Sequence, residues 1–285
     1  MAFVHTGARV IGARLISAVL LFVSLSACAS APKAPPVGAE EPDKFLWERG
    51  SEALNKKRWL VSREFFRQLM DSYPQSPYRA DAKLGIGDSY LGEGSVEGQV
   101  LAINEFREFL SFYPTHDRAD YAQYKLGMAH FYHMRAPARD QTETREAITE
   151  LTAFVQRYPR SKLFPEASQN LRIAKDRLAD HEYGVGLHYL RTRTSVIGAI
   201  DRLAMILKND PQYTRRDAVY YQLAQALVLL QQPAAAIPYF EKLIAEFEQS
   251  EYLEKAKVQV AELKAALPAE VKKAPGTEAQ IPSGR

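Results

Sequence analysis

Five segments share one apolar spacing: FRQLMDSYP (66–74), FREFLSFYP (106–114), LTAFVQRYP (151–159), LAMILKNDP (203–211) and FEKLIAEFE (240–248). Counted back from the final residue, apolar side chains stand at −8, −5 and −4 in every copy, and at −1 in all but one. There Asp210 replaces the aromatic. That spacing draws a single apolar stripe along a helix. A proline at the last position, in four of the five, stops it. The stops at 74, 114, 159, 211 and 248 lie 40, 45, 52 and 37 residues apart, so a repeated unit accounts for most of the chain.

After each stop comes a short polar turn, QSPY, THD, RSKLFP or QYTRR, and then a second helical pattern. AKLGIGDSYL (82–91) and YKLGMAHFY (124–132) are near copies, and YQLAQALVLL (221–230) is a looser one. Gly85, Gly127 and Ala224 in them let a neighbouring helix come close. The unit is helix–turn–helix and resembles a tetratricopeptide repeat lengthened beyond its usual period of about 34 residues. Between Pro165 and Pro211 there is no proline, which predicts one helix of about 25 residues, about 40 Å long, able to brace two halves of a repeat array. Residues 250–267 predict a final capping helix. With no segment alternating polar and apolar residues, the expectation is all-α: a right-handed solenoid of about five tetratricopeptide-like helix pairs with a C-terminal capping helix.

The N-terminus follows different rules. Residues 15–25, LISAVLLFVSL, form an apolar run preceded by Arg9 and Arg14 and no acid. It is shorter than the roughly 20 residues a bilayer span needs and has the form of a secretory signal. It ends in Leu25-Ser26-Ala27-Cys28, which resembles a bacterial lipobox, and Cys28 is the only cysteine in 285 residues. The resemblance implies that Cys28 carries S-diacylglycerol and an N-acyl chain. That attachment, including palmitate, would make a lasting membrane anchor. Ala29 stands where aspartate would direct retention in the inner membrane, so the outer membrane, facing the periplasm, is expected. The expected organisation is signal peptide 1–27, Pro/Ala-rich tether 28–43, repeat domain 44–267 and a disordered tail 268–285 rich in proline and glycine.

Charge excludes some functions. Without Arg9 and Arg14 the chain holds 35 basic and 34 acidic residues. A balance so even gives no reason to expect nucleic acid as a partner. One cysteine leaves no intrachain disulfide and no multi-cysteine metal site. His130 and His133 have an i, i+3 spacing, but no third ligand stands near in sequence, and packing among aromatics is their expected role. His181 and His188 fit a polar helix face or hydrogen bonds between helices. Gly92, Gly94 and Gly98 are expected in a helix end and loop. The glycine-flanked serine and P-loop motifs are absent, so neither catalysis nor a cofactor beyond the covalent lipid is expected. In the first two repeats, Tyr78, Asp88 and Tyr90 are candidates to line a groove for a substrate peptide.

Three stretches carry a closer resemblance: 138–161, 171–193 and 197–211. They contain Arg139-Asp140-Gln141-Thr142, then Leu178-Ala179-Asp180-His181-Glu182 with Tyr189, then Ala199-Ile200-Asp201-Arg202. With the lipobox, tether and cap they resemble the BamD-type (ComL/YfiO) lipoprotein family of the outer-membrane β-barrel assembly machinery. Ala138, Ser195-Val196 and Ala235-Ala236 depart from the family's pattern. The resemblance implies a scaffold, not an enzyme. Its implied partners are the POTRA domains of the barrel insertase BamA, other assembly lipoproteins, and unfolded β-barrel outer-membrane proteins. It also implies partner-binding roles for Arg202, Arg139, Asp140 and Tyr189. Arg202 could equally pair inside the chain, with Asp176 or with neighbours of Asp201. A lipid-anchored repeat scaffold for pilus or cell-wall machinery is the alternative; it shares anchor and repeats but should lack these three stretches.

Overall fold

The computed structural model describes residues 41–266. The signal peptide, Cys28, all but the last three residues of the expected tether, and the tail 268–285 lie outside the described residues. Every element within them is a helix: α1 (Pro42–Asn55), α2 (Trp59–Ser72), α3 (Arg79–Glu93), α4 (Val96–Phe112), α5 (Ala119–Phe131), α6 (Thr142–Arg157), α7 (Phe164–Thr192), α8 (Val196–Asn209), α9 (Arg216–Leu229), α10 (Pro233–Glu246) and α11 (Leu253–Ala266). The first helix starts at Pro42, inside the stretch expected as tether, because proline suits the first turn of a helix. The chain divides into two compact units between Gly85 and Ile86.

In the first unit, α1 and α2 form a helix hairpin. Phe66 of α2 is fully buried, its ring wedged against Gly50 of α1 and Gly85 of α3. A Cβ on Gly50 would stand 2.5 Å from that ring, so the close approach requires glycine at both places. The Ser62 hydroxyl donates to the Gly50 carbonyl at 2.8 Å and satisfies a buried hydroxyl at the same contact. After Tyr73 and Pro74 end α2, Ser76 donates to Asp43 in the first turn of α1 at 2.7 Å. The same Ser76 hydroxyl accepts from the Tyr78 amide at 3.2 Å.

The second unit repeats that latch. Ser161 donates to Asp120 and Ser250 to Asp217, each at 2.6 Å, and each serine accepts from the amide two residues on. These three turns, which read as merely polar, therefore tie the end of a pair back to the first turn of the helix that opened it. From α4 to α11 every helix packs on the one that follows. Ser95 and Ser195 cap α4 and α8 identically, each accepting from the glycine amide three residues later. Gly98 is thus in the first turn of α4, not in a loop, and a side chain there would strike the Tyr90 carbonyl.

The long helix is α7, 29 residues, or about 43 Å at 1.5 Å per residue. It serves two cores. Ala167 and Leu171 join Tyr124, Leu151 and Phe154 in one, while Ala179 and Tyr183 join Leu203, Tyr213 and Phe240 in the other.

Replacing Phe66 with alanine opens a void facing two glycines that cannot fill it. We expect a loss of about 3–5 kcal/mol in urea unfolding, against about 1 kcal/mol for Ser161→Ala. Equal losses would mean that the glycine wedge is not the dominant contact.

Candidate functional site

The three stretches singled out by sequence become α6, α7 and α8, and together they wall one cleft. Because α7 is about twice as long as most of the other helices, α6 lies along its first half and α8 along its second. The gap between them is a cavity of about 490 Å³. Ile148, Leu178 and Met205 give it an apolar floor, and Arg145, Lys175, Glu182, Asp201 and Arg202 line it with charge. Met205 is 47% exposed.

Arg202 donates to Glu182 at 2.5 Å and lies over the Tyr189 ring, 5.7 Å from its centroid. Its side chain stays 39% exposed. Of the pairings open to it within the chain, the structure selects Glu182, one turn of α7 beyond Leu178, and not Asp176. Asp176 instead takes the Thr214 amide and hydroxyl at 3.1 and 2.7 Å and an ion pair with Arg172 at 3.0 Å.

The loop before α6 is built around Gln141. Its buried amide donates to the Ala136 and Arg139 carbonyls, both at 2.9 Å, and accepts from the Thr144 hydroxyl at 2.8 Å. Asp140 accepts from the Thr142 amide and hydroxyl, which hold its carboxyl below the usual range. Arg139 is exposed. His181 straps the loop to α7 by its Nδ1 at 2.6 Å from the Pro137 carbonyl. Arg202 and Tyr189 therefore meet at the cleft, while Arg139 and Asp140 stand in the loop beside it. Sequence reasoning passed over Gln141 and His181 as the groups that fix this loop, although both lie in the quoted motifs.

The candidate groove residues are differently placed. In the first unit Tyr78 stacks on Trp47, ring centroids 5.0 Å apart. In the second, Asp88 accepts from the Tyr121 hydroxyl at 2.7 Å and pairs with Lys125 at 3.0 Å. Tyr90 is only 7% exposed, which corrects its expected place on an open surface: it shares a helix face with buried Ile86. His130 is buried and bonded through Nδ1 to Glu143 at 2.8 Å, and Glu143 also accepts from Gln99 at 2.8 Å. Among the described residues no three His, Cys, Asp or Glu side chains are grouped to hold a metal ion.

The turn after α8 holds the largest surprise. With Asp210 in the aromatic place, Arg172 grips both its carboxylate oxygens, one at 2.9 Å. Burial raises the Asp210 carboxyl and that grip outweighs it, so the group sits below the usual range. The aromatic has moved three residues on. Tyr213, 1% exposed, fills the core and donates to Asp180 at 2.5 Å. Arg172, Asp176 and Asp180, four residues apart on α7, thus form a polar ladder that holds the turn 210–215.

A repeat scaffold presenting one charged, apolar-floored cleft is the class these features define. The sequence model of the YfiO family, described as "Outer membrane lipoprotein", matches residues 39–234. The chain belongs to that family. Relatives named "Outer membrane protein assembly factor BamD" include one from Caulobacter vibrioides, 28% identical over 217 residues, covering 75% of this chain and 70% of the relative. One from Vibrio cholerae is 25% identical, covering 69% of this chain and 83% of the relative. One from Neisseria gonorrhoeae is 24% identical over 255 residues, covering 84% and 93%.

Burial, and then the bond to Asp180, hold the Tyr213 hydroxyl well above its ordinary 10.0. The folded chain keeps that proton where the unfolded chain releases it, so this contribution is complete below pH 10 and lost as pH rises beyond it. Tyr213→Phe should cost about 1 kcal/mol at neutral pH and flatten the alkaline fall in urea-unfolding stability. An unchanged alkaline limb would contradict the assignment.

Proposed function

We infer that this protein is an outer-membrane protein assembly factor, a lipid-anchored periplasmic scaffold that helps receive and insert unfolded β-barrel proteins. The observation that carries the reading is the meeting of three separate motif stretches around one cleft, in a chain of a family whose relatives bear the assembly-factor name. No step of this role asks the chain for catalysis. Packed helix pairs supply a rigid frame, and side chains on it offer a partner both shape and charge.

In this reading Cys28 carries the lipid and holds the body at the periplasmic face of the outer membrane. The POTRA domains of a BamA-like insertase dock on the C-terminal repeats, with Arg202 offering a fork of donors to a partner carboxylate. Tyr189 backs that guanidinium, and the loop at Arg139 and Asp140 borders the same face. Other assembly lipoproteins and unfolded barrel substrates complete the partner set.

A mild-detergent pull-down from envelopes through a C-terminal tag tests this. Recovery of a large POTRA-bearing barrel protein is expected, weakened by Arg202→Glu. The Cys28→Ala form should leave the membrane fraction yet still capture the partner. Pilus or cell-wall proteins recovered without that barrel protein would contradict the reading.

A further inference from the structure

The charges around the cleft are not all available to a partner. Glu182 is occupied by Arg202, and Asp210 by Arg172. The remaining charged groups facing the cavity are Arg145 on α6, Lys175 on α7 and Asp201 on α8. None of these three makes an ion pair or side-chain hydrogen bond among the described residues. Two acids that feel these cations are already committed elsewhere. Asp140, near Arg145, holds the Thr142 amide and hydroxyl, and Asp210, near Lys175, is gripped by Arg172. The cleft therefore offers two cations and one acid without a direct partner over an apolar floor, while the charge of Arg202 is largely neutralised by Glu182.

We propose that Arg145 and Lys175 supply the electrostatic hold of this cleft on a partner protein, and that its occupant is an acidic segment carrying an apolar side chain between carboxylates. The apolar side chain sits on Met205 and Leu178; Met205, unbranched and exposed, can adapt to its shape. The flanking carboxylates reach Arg145 on one wall and Lys175 on the other. Arg202, held by Glu182 and Tyr189, contributes direction more than net charge. Asp201 opposes such a segment and lowers its affinity. This assignment rests on the reading of the cleft as the partner face and names the chemistry that face selects. A charge pair at a rim acts mainly on association and on its salt dependence.

The test uses the full lipidated chain in mild detergent and, as probe, the soluble POTRA region of the barrel insertase from the same cell. Binding is measured by titration at low and high salt. Arg145→Glu and Lys175→Glu should each weaken binding about tenfold at low salt and flatten its salt dependence. Asp201→Asn should tighten it about threefold; misfolding cannot mimic a gain. Arg145→Gln and Lys175→Gln, gentler changes at surface positions, should each give about threefold loss. If the reversals leave affinity within about twofold while Arg202→Ala weakens it, the proposal fails and the partner face stands. If all of these, Arg202→Ala included, leave binding unchanged, the partner face itself is misplaced and the proposal fails with it. Binding of the cleft to vesicles rich in phosphatidylglycerol, lost in the same reversals while POTRA binding persists, would overturn the protein occupant in favour of a lipid surface.

Discussion

A bulky apolar residue from the second helix of a pair, pressed against a glycine or alanine of the first, sets the distance at which these helices pack. Phe66 lies on Gly50 and Gly85, and Leu151 lies on Gly127. Buried Phe240, meeting Tyr221 edge-on, belongs to the same core as Ala224. Close approach brings the backbones together and buries the wedge completely, and it fixes where the following turn must fall. The serine–aspartate latches at Asp43, Asp120 and Asp217 then close each pair at its open end. Neither device is large alone. Within each unit they hold side chains at defined places on the surface.

The cleft follows from a single departure from that regularity. Had α7 the length of its neighbours, α6 and α8 would flank it at one level and leave no gap. At 29 residues it carries them at two levels, and each half is glued to its own core. The longer span needs its own fastening, and the Arg172–Asp176–Asp180 ladder provides it where Asp210 replaces the tyrosine before Pro211. The Glu182–Arg202 pair lies one half-turn further along the same helix. A structural ladder and a presented guanidinium thus share one helix.

Much of this was legible in the sequence because it depended on periodicity. The apolar spacing and proline stops give the helices, and the proline-free interval gives the long one, within a few residues at its ends. The reading of Cys28 as an attachment point rests on the sequence alone, since that residue lies outside the described residues. What escaped depends on pairing across space. Tyr213 sits in QYTRR, which reads as a polar turn, yet it is among the most deeply buried side chains because a missing aromatic three residues earlier left room for it. Tyr90 looked like surface and is core, since its partner on the inner face, Ile86, gives no local sign of which way the helix turns. Arg202 had several possible acids in sequence; only the stagger of α8 along α7 selects Glu182.

We propose that the assembly partner docks on the gap left by the long helix. Hydrogen–deuterium exchange of the full chain, with and without the POTRA region of the insertase, decides the matter. Added protection should gather at 142–148, 175–182 and 201–210, the three walls of the cleft. Protection confined to 42–112, with those walls exchanging as in the free protein, would contradict it.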